Sequence, residues 1–288
     1  MENIKIKNSV LTVEISKPGT FYSGSRFDWT GFITQITLNG KHHFCVDESL
    51  IKGFGTGGRG LCNEFGIHEP IGYEEARVGE CFPKLGIGLL EKKSDEPYNF
   101  FEAYAISPYE VDVRSDANRV SFMSKSCSCR GYAACLQKDI EIIDNRMEIR
   151  YTLENAGDKT LDTTEYVHNF VSIDGADIGP HNRLSFSFEL AGNNVPDVFR
   201  VMGNSIEWKR IPDKEFYWTP KGFEGHSSSW WRLENKNTGV GMQETCGFPV
   251  LKAAIWGKTH VVSPEMFIHL LLKPGEVKTW TRSYEFFA

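Results

Sequence analysis

Acid–base work near neutral pH needs an imidazole or a carboxyl that its local pattern does not otherwise call for. This 288-residue chain offers two such groups in distant stretches. His168 interrupts the strand-like run Thr164-Glu165-Tyr166-Val167-His168-Asn169-Phe170. An imidazole there is either a near-neutral proton donor or a hydrogen-bonded core residue. Glu265, in Val261-Val262-Ser263-Pro264-Glu265-Met266-Phe267, opens an apolar strand. Partial desolvation at that mouth would raise its pKa toward useful base strength. The plainer alternative is an edge charge that discourages aggregation.

Two further stretches have the chemistry of a binding wall. The glycine-dense segment from Gly53 to Gly66 lacks the lysine of a phosphate loop and a following helix. Its glycines would let backbone approach a ligand, with Arg59 supplying a fork of donors and Glu64 a carboxylate acceptor. Such planar polar groups suit sugar hydroxyls, which both donate and accept. A surface turn with a salt bridge fits the segment equally well. For most of the aromatics, among them Trp29, Trp256, Phe27 and Tyr73, core is the default reading, while Ser227-Ser228-Ser229-Trp230-Trp231-Arg232, with Trp230 at its front, is the best ligand wall. His42-His43 cannot share a metal on one strand face, and Cys127, Cys129 and Cys135 lack a fourth ligand. The chain has no Gly-x-Ser-x-Gly elbow and no His-Glu-x-x-His. No metal or organic cofactor is expected.

The elements that must position these groups are strands. Val10–Ser16, Phe32–Leu38, Arg119–Ser124, Met147–Leu153, Met266–Leu272 and Val277–Phe287 alternate with period two. Lys17-Pro18-Gly19, Asn39-Gly40, Asn155-Ala156-Gly157-Asp158 and Lys273-Pro274-Gly275 punctuate them, with a hairpin predicted at Asn39-Gly40. Helix is confined to one possible turn over Glu74–Val78, fenced by Gly72 and Gly79. The pattern predicts an all-β fold, a large antiparallel β-sandwich or barrel in one domain over residues 1–288. A net charge of −6 excludes a basic footprint for nucleic acid or anionic membrane. The alternating N-terminus gives no secretion signal, and no run is long enough to span a membrane. The odd count of seven cysteines then reads as reduced thiols of a cytoplasmic protein.

Taken in order, these segments resemble the galactose mutarotase (aldose 1-epimerase) superfamily over most of the chain. Ser23-Gly24-Ser25-Arg26-Phe27-Asp28-Trp29-Thr30-Gly31 is similar to a signature of a bacterial subgroup of mutarotase-like proteins. Gly57-Gly58-Arg59 with Asn63 resembles the Gly-Arg…Asn segment whose arginine binds the sugar. Val167-His168-Asn169-Phe170 resembles the strand whose histidine is the general acid, and Val262-Ser263-Pro264-Glu265 the segment of the general base. The usual Asn-His pair is Val167-His168 here, and only His68 could stand in for the first His-Gly segment. Glu244, in Gln243-Glu244-Thr245, is the competing base.

The resemblance implies a β-supersandwich holding a monosaccharide or sugar derivative on a concave face, with Arg59, Glu64, Arg26 and Trp230 as binding residues. It implies that Glu265 takes the proton from the C1 hydroxyl while protonated His168 gives one to the ring oxygen, from opposite sides of the hemiacetal carbon. Sugar phosphates would call for a further cation, with Arg26 and Lys84 as candidates. A non-catalytic sugar-binding protein, or a lyase or isomerase on the same scaffold, stays open.

Overall fold

Alternation becomes burial wherever a strand has one face on the core. Arg146–Asn155 places Met147, Ile149, Tyr151 and Leu153 inside and turns the intervening side chains outward. The structure is a computed structural model describing residues 3–288. All of its regular elements are strands, in a nine-stranded sheet, a ten-stranded sheet and a three-stranded sheet, and every ladder is antiparallel. Residues Gly72–Ala76 form a single turn, closed by the Ala76 amide on the Gly72 carbonyl. Asn39 and Gly40, both at positive φ, join Ile33–Leu38 to the short strand His42–His43.

In the nine-stranded sheet Gly60–Phe65, Leu161–Phe170, Val261–Leu272, Lys252–Lys258 and the edge strand Phe216–Trp218 run side by side. The inner face of this sheet and that of the ten-stranded sheet enclose one continuous apolar core, with Ile36, Val167, Val262 and Ile268 from one side and Ile140, Leu153, Leu233 and Phe286 from the other. The three-stranded sheet, Cys81–Lys84, Gly88–Glu91 and Ile106–Pro108, carries a second cluster built on Tyr73, Phe82, Tyr98 and Tyr104.

Charged residues cross the core as ion-paired ties. Lys138 Nζ donates to Asp28 Oδ2 at 2.7 Å, the Thr30 carbonyl at 2.6 Å and Asn63 Oδ1 at 2.9 Å. Arg282, on the ten-stranded sheet, donates to Glu244 Oε1 and Glu165 Oε2, both at 2.7 Å, and to the Met266 carbonyl at 2.9 Å. Buried ions survive only when so matched. These ties fix the strands bearing Asn63, Glu165 and Met266, whose opposite faces form the site described next.

One segment departs from the sequence expectation. Of the glycines between Gly53 and Gly66, Gly58 and Gly60 bring backbone against the protein's own strands, while Gly55 lines the cavity above the sheet. A Cβ on Gly58 would lie 2.1 Å from the Phe170 ring, and one on Gly60, at φ +60°, would lie 2.2 Å from the Ile33 carbonyl. Gly58 and Gly60 are packing glycines.

Candidate active site

Glu265 is predicted at the mouth of a strand but lies well inside one, Val261–Leu272. Its neighbour Pro264 explains how. The His168 and Glu265 strands pair from Leu161 with Leu272 to Glu165 with Ile268, and again at Val171 with Val262. The two ends are six residues apart on each strand, so the register is unbroken while the regular ladder lapses between them. Proline has no N–H, and the Pro264 carbonyl is taken by the Asn169 side-chain amide at 2.6 Å. The missing donor therefore faces the lapsed stretch, where it costs no ladder bond. Asn169 also donates its backbone N–H to Ser263 Oγ at 2.9 Å. Side chains here do the bridging that backbone does elsewhere.

Continuous register puts His168 directly opposite Glu265. Strand parity then lays out the outer face of the sheet in rows. Glu64, Tyr166, Phe267 and Lys252 form one row. Cys62, His168, Glu265 and Ala254 form the next, then Gly60, Phe170, Ser263, Trp256 and Tyr217. Above these rows opens a cavity of about 750 Å³, lined among others by His168, Glu265, Tyr166, Trp256, Arg26 and Lys252.

His168 Nε2 lies 3.2 Å from Glu265 Oε1. Ser263 Oγ lies 2.8 Å from His168 Nδ1 and 3.1 Å from Glu265 Oε1. The imidazole is stacked on Phe170, ring centroids 4.0 Å apart, and meets Trp256 edge-on at 5.4 Å. Burial holds the His168 pKa well below the ordinary imidazole value, and the Arg26 charge adds to that. Burial pushes the Glu265 carboxyl up to about 8, against the opposing pull of Arg26 and the Ser263 hydrogen bond. At neutral pH the pair therefore holds one ionisable proton between two groups in contact. The sequence reading sets the two groups on opposite sides of a carbon; in the structure they stand side by side on neighbouring strands.

Arg26 takes the place in the cavity that the sequence offers to Arg59. Its Nε donates to Glu64 Oε2 at 2.9 Å, Nη1 to Thr56 Oγ1 at 2.9 Å and Nη2 to Tyr166 OH at 3.1 Å, and Tyr166 OH donates in turn to Glu64 Oε2 at 2.7 Å. The guanidinium is held between the rings of Phe27 and Phe100, 4.6 and 4.4 Å from their centroids. Arg59 instead binds Asp47 Oδ1 at 3.0 Å and the Thr34 carbonyl at 3.0 Å, outside the cavity lining. Glu64 is buried beneath Arg26 as its counter-ion, and faces Lys84 Nζ at 3.7 Å. Lys84 is itself buried, with its pKa lowered to about 8 by desolvation, and does not line the cavity.

Trp230 lies in the other sheet, on Ser229–Asn235. Adjacent residues of a strand face opposite ways, and the inner side there is taken by Trp231, whose Nε1 donates to Glu244. Trp256, which reads as core in the sequence, is the tryptophan of the cavity. Glu244 is buried between the sheets on Arg282, so of the two candidate bases Glu265 is the one that reaches the cavity. His68 also lines the cavity, near Phe100. Sequence reading missed roles for Ser263, Tyr166 and Thr56. The first two share strand parity with Glu265 and His168, which is the signal that could have found them.

The Glu265 shift has a measurable consequence for stability. Its carboxyl is protonated in the fold up to about pH 8 but ionises near 4.5 when unfolded, so the native state binds more protons between those values and stability falls as pH rises. His168 acts oppositely, but only below its unfolded value of 6.5. Between pH 6.5 and about 8 the Glu265 effect stands alone of the two, at roughly 1.4 kcal/mol per pH unit. Urea melts of wild type and Glu265→Gln across that window should show the decline reduced by that amount in the variant; parallel pH dependences would remove the raised carboxyl from the account.

No family model matches the sequence, and no curated protein does. Solved structures do match. A galactose mutarotase-like protein from Lactobacillus casei aligns with TM-score 0.62 at 13% identity, covering 99% of this chain and 100% of its own. A galactose mutarotase related enzyme from Lactobacillus acidophilus gives 0.63 at 12%, covering 99% and 97%. An aldose epimerase homologue from C. elegans gives 0.58 at 13%, covering 99% and 98%. Together with the antiparallel sheets described above, these alignments show that the chain has the galactose mutarotase-like fold.

Proposed function

We propose that the protein is an isomerase of the aldose 1-epimerase type, interconverting the anomers of a free sugar or sugar derivative. The observation that carries this reading is the contact between His168 and Glu265 on the cavity floor. Opening a hemiacetal ring removes a proton from the C1 hydroxyl and delivers one to the ring oxygen. Both oxygens are bonded to the same carbon, so neighbouring acid and base groups suit them. A pair holding one proton can donate from one member and accept at the other. Rotation about C1–C2 and closure on the other face then run both transfers backwards and restore the starting state. Whether the proton begins on Glu265 or, as an ion pair, on His168, the count is the same. Trp256 and Phe100 offer flat apolar faces to a pyranose, and Arg26 retains unused N–H donors for its hydroxyls.

Exchange NMR on a panel of aldoses, uronic acids and sugar phosphates tests the proposal. The acids belong in the panel because Lys252 lines the cavity with its Nζ over the Phe267 ring, 4.9 Å from the centroid. At least one sugar should exchange anomers faster than in buffer alone, with the rate falling above about pH 8 as Glu265 loses the pair's proton. Buffer rates throughout the panel would reject an epimerase.

A further inference from the structure

One hydroxyl, that of Ser263, joins His168, Glu265 and Asn169 in a single hydrogen-bonded cluster. Ser263 Oγ accepts the backbone N–H of Asn169 at 2.9 Å, and it also lies 2.8 Å from His168 Nδ1 and 3.1 Å from Glu265 Oε1. A serine hydroxyl has one proton and two lone pairs. With one lone pair given to Asn169, three partners are satisfied when Nδ1–H donates to the other lone pair and the Ser263 proton goes to Glu265. We infer that Ser263 is a positioning residue that holds His168 with its proton on Nδ1, so that Nε2 is the atom left to exchange a proton with Glu265.

The inference rests on reading the His168–Glu265 pair as the proton-transfer unit, and asks what makes that unit switch cheaply. With Nδ1 protonated, the neutral pair carries its other proton on Glu265, directed at bare Nε2. The ion pair carries that proton on Nε2, directed at the carboxylate. One proton moves along the 3.2 Å contact, and the bonds to Ser263 and Asn169 are unchanged in both forms. With the proton on Nε2 in the neutral form instead, Ser263 would have to turn its hydroxyl toward Nδ1 and accept from the Glu265 acid. Forming the ion pair would then require the Glu265 proton to pass to Ser263 as the Ser263 proton passes to Nδ1. Burial favours the simpler arrangement, because a buried imidazolium needs an acceptor on each nitrogen, and Ser263 and Glu265 supply them. The serine is itself fixed: it is fully buried within the lapsed stretch of ladder, and Asn169 is held by Pro264 and by Tyr284.

Nitrogen-15 NMR of histidine-labelled full-length protein at pH 7, with His168 assigned by loss of its signals in His168→Gln, reads the tautomer without any sugar. Wild type should show His168 protonated at Nδ1, and Ser263→Ala should shift it to Nε2–H donating to Glu265. Ser263→Ala should also slow exchange of an active sugar by ten- to a hundredfold in kcat with little change in KM, and Ser263→Thr should restore most of it. A wild-type His168 protonated at Nε2 overturns the inference, and so does a Ser263→Ala protein with an unchanged tautomer. If the alanine variant does not fold, the wild-type spectrum decides alone. If no sugar is turned over, the spectra still judge Ser263 apart from the enzymatic reading.

Discussion

Glu265→Gln should lower enzymatic anomer exchange by about 10²–10⁴-fold, the usual worth of one positioned proton-transfer group. Glutamine keeps the shape of the side chain and can still accept from Ser263, but it cannot exchange a proton with His168 Nε2 across their 3.2 Å contact. The fold should survive, since the change removes an ionisable group from a buried position. His168→Asn should cost a similar factor. Because the two groups act on one proton, the double variant should be little worse than the weaker single variant. Factors that multiplied in the double variant would mean that the two residues act separately, and an unimpaired Glu265→Gln would remove Glu265 from the chemistry.

The largest effect on stability should come from Arg282→Met. Arg282 is fully buried between Glu165 and Glu244, two carboxylates that are themselves fully buried. Removing the cation leaves both without their counter-charge, and breaking a buried pair in this way typically costs about 3–5 kcal/mol. Asn63 and Trp231 would still donate to the carboxylates, which softens the loss without neutralising them. The same guanidinium holds the Met266 carbonyl next to Glu265, so residual folded protein should also have an impaired site. Chemical denaturation would measure the change. A loss under about 1 kcal/mol would show that the ties between the sheets are not what holds the His168 and Glu265 strands in place, and the triple variant with Glu165→Gln and Glu244→Gln should recover part of the stability.

Much of the architecture is legible in the alternation of residues, because one buried face per strand forces period two. The strand expected over Val277–Phe287 has those bounds in the structure. His168 and Glu265 are legible as polar residues in apolar strands; their contact depends on register across two strands distant in sequence. The resemblance puts Arg59 ahead of Arg26, and the structure reverses them, since the choice depends on how the segment before Ile33 crosses the sheet face. Trp230 misled because its serine-rich approach looked like a ligand wall, while parity with the more apolar Trp231 side carried the better signal. The charged ties had a sequence signal too. Lys138 falls on the parity of Leu136, Ile140 and Ile142, and Arg282 on that of Trp280, Tyr284 and Phe286, which marks both as inward-facing ions needing partners.

A crystal structure of the protein soaked with a sugar that it turns over tests the central claim most directly. The account predicts the pyranose in the cavity beside Trp256, with its C1 hydroxyl and ring oxygen each about 2.6–3.2 Å from one member of the His168–Glu265 pair. A sugar bound with C1 turned away from both residues, or bound outside this cavity, would contradict it.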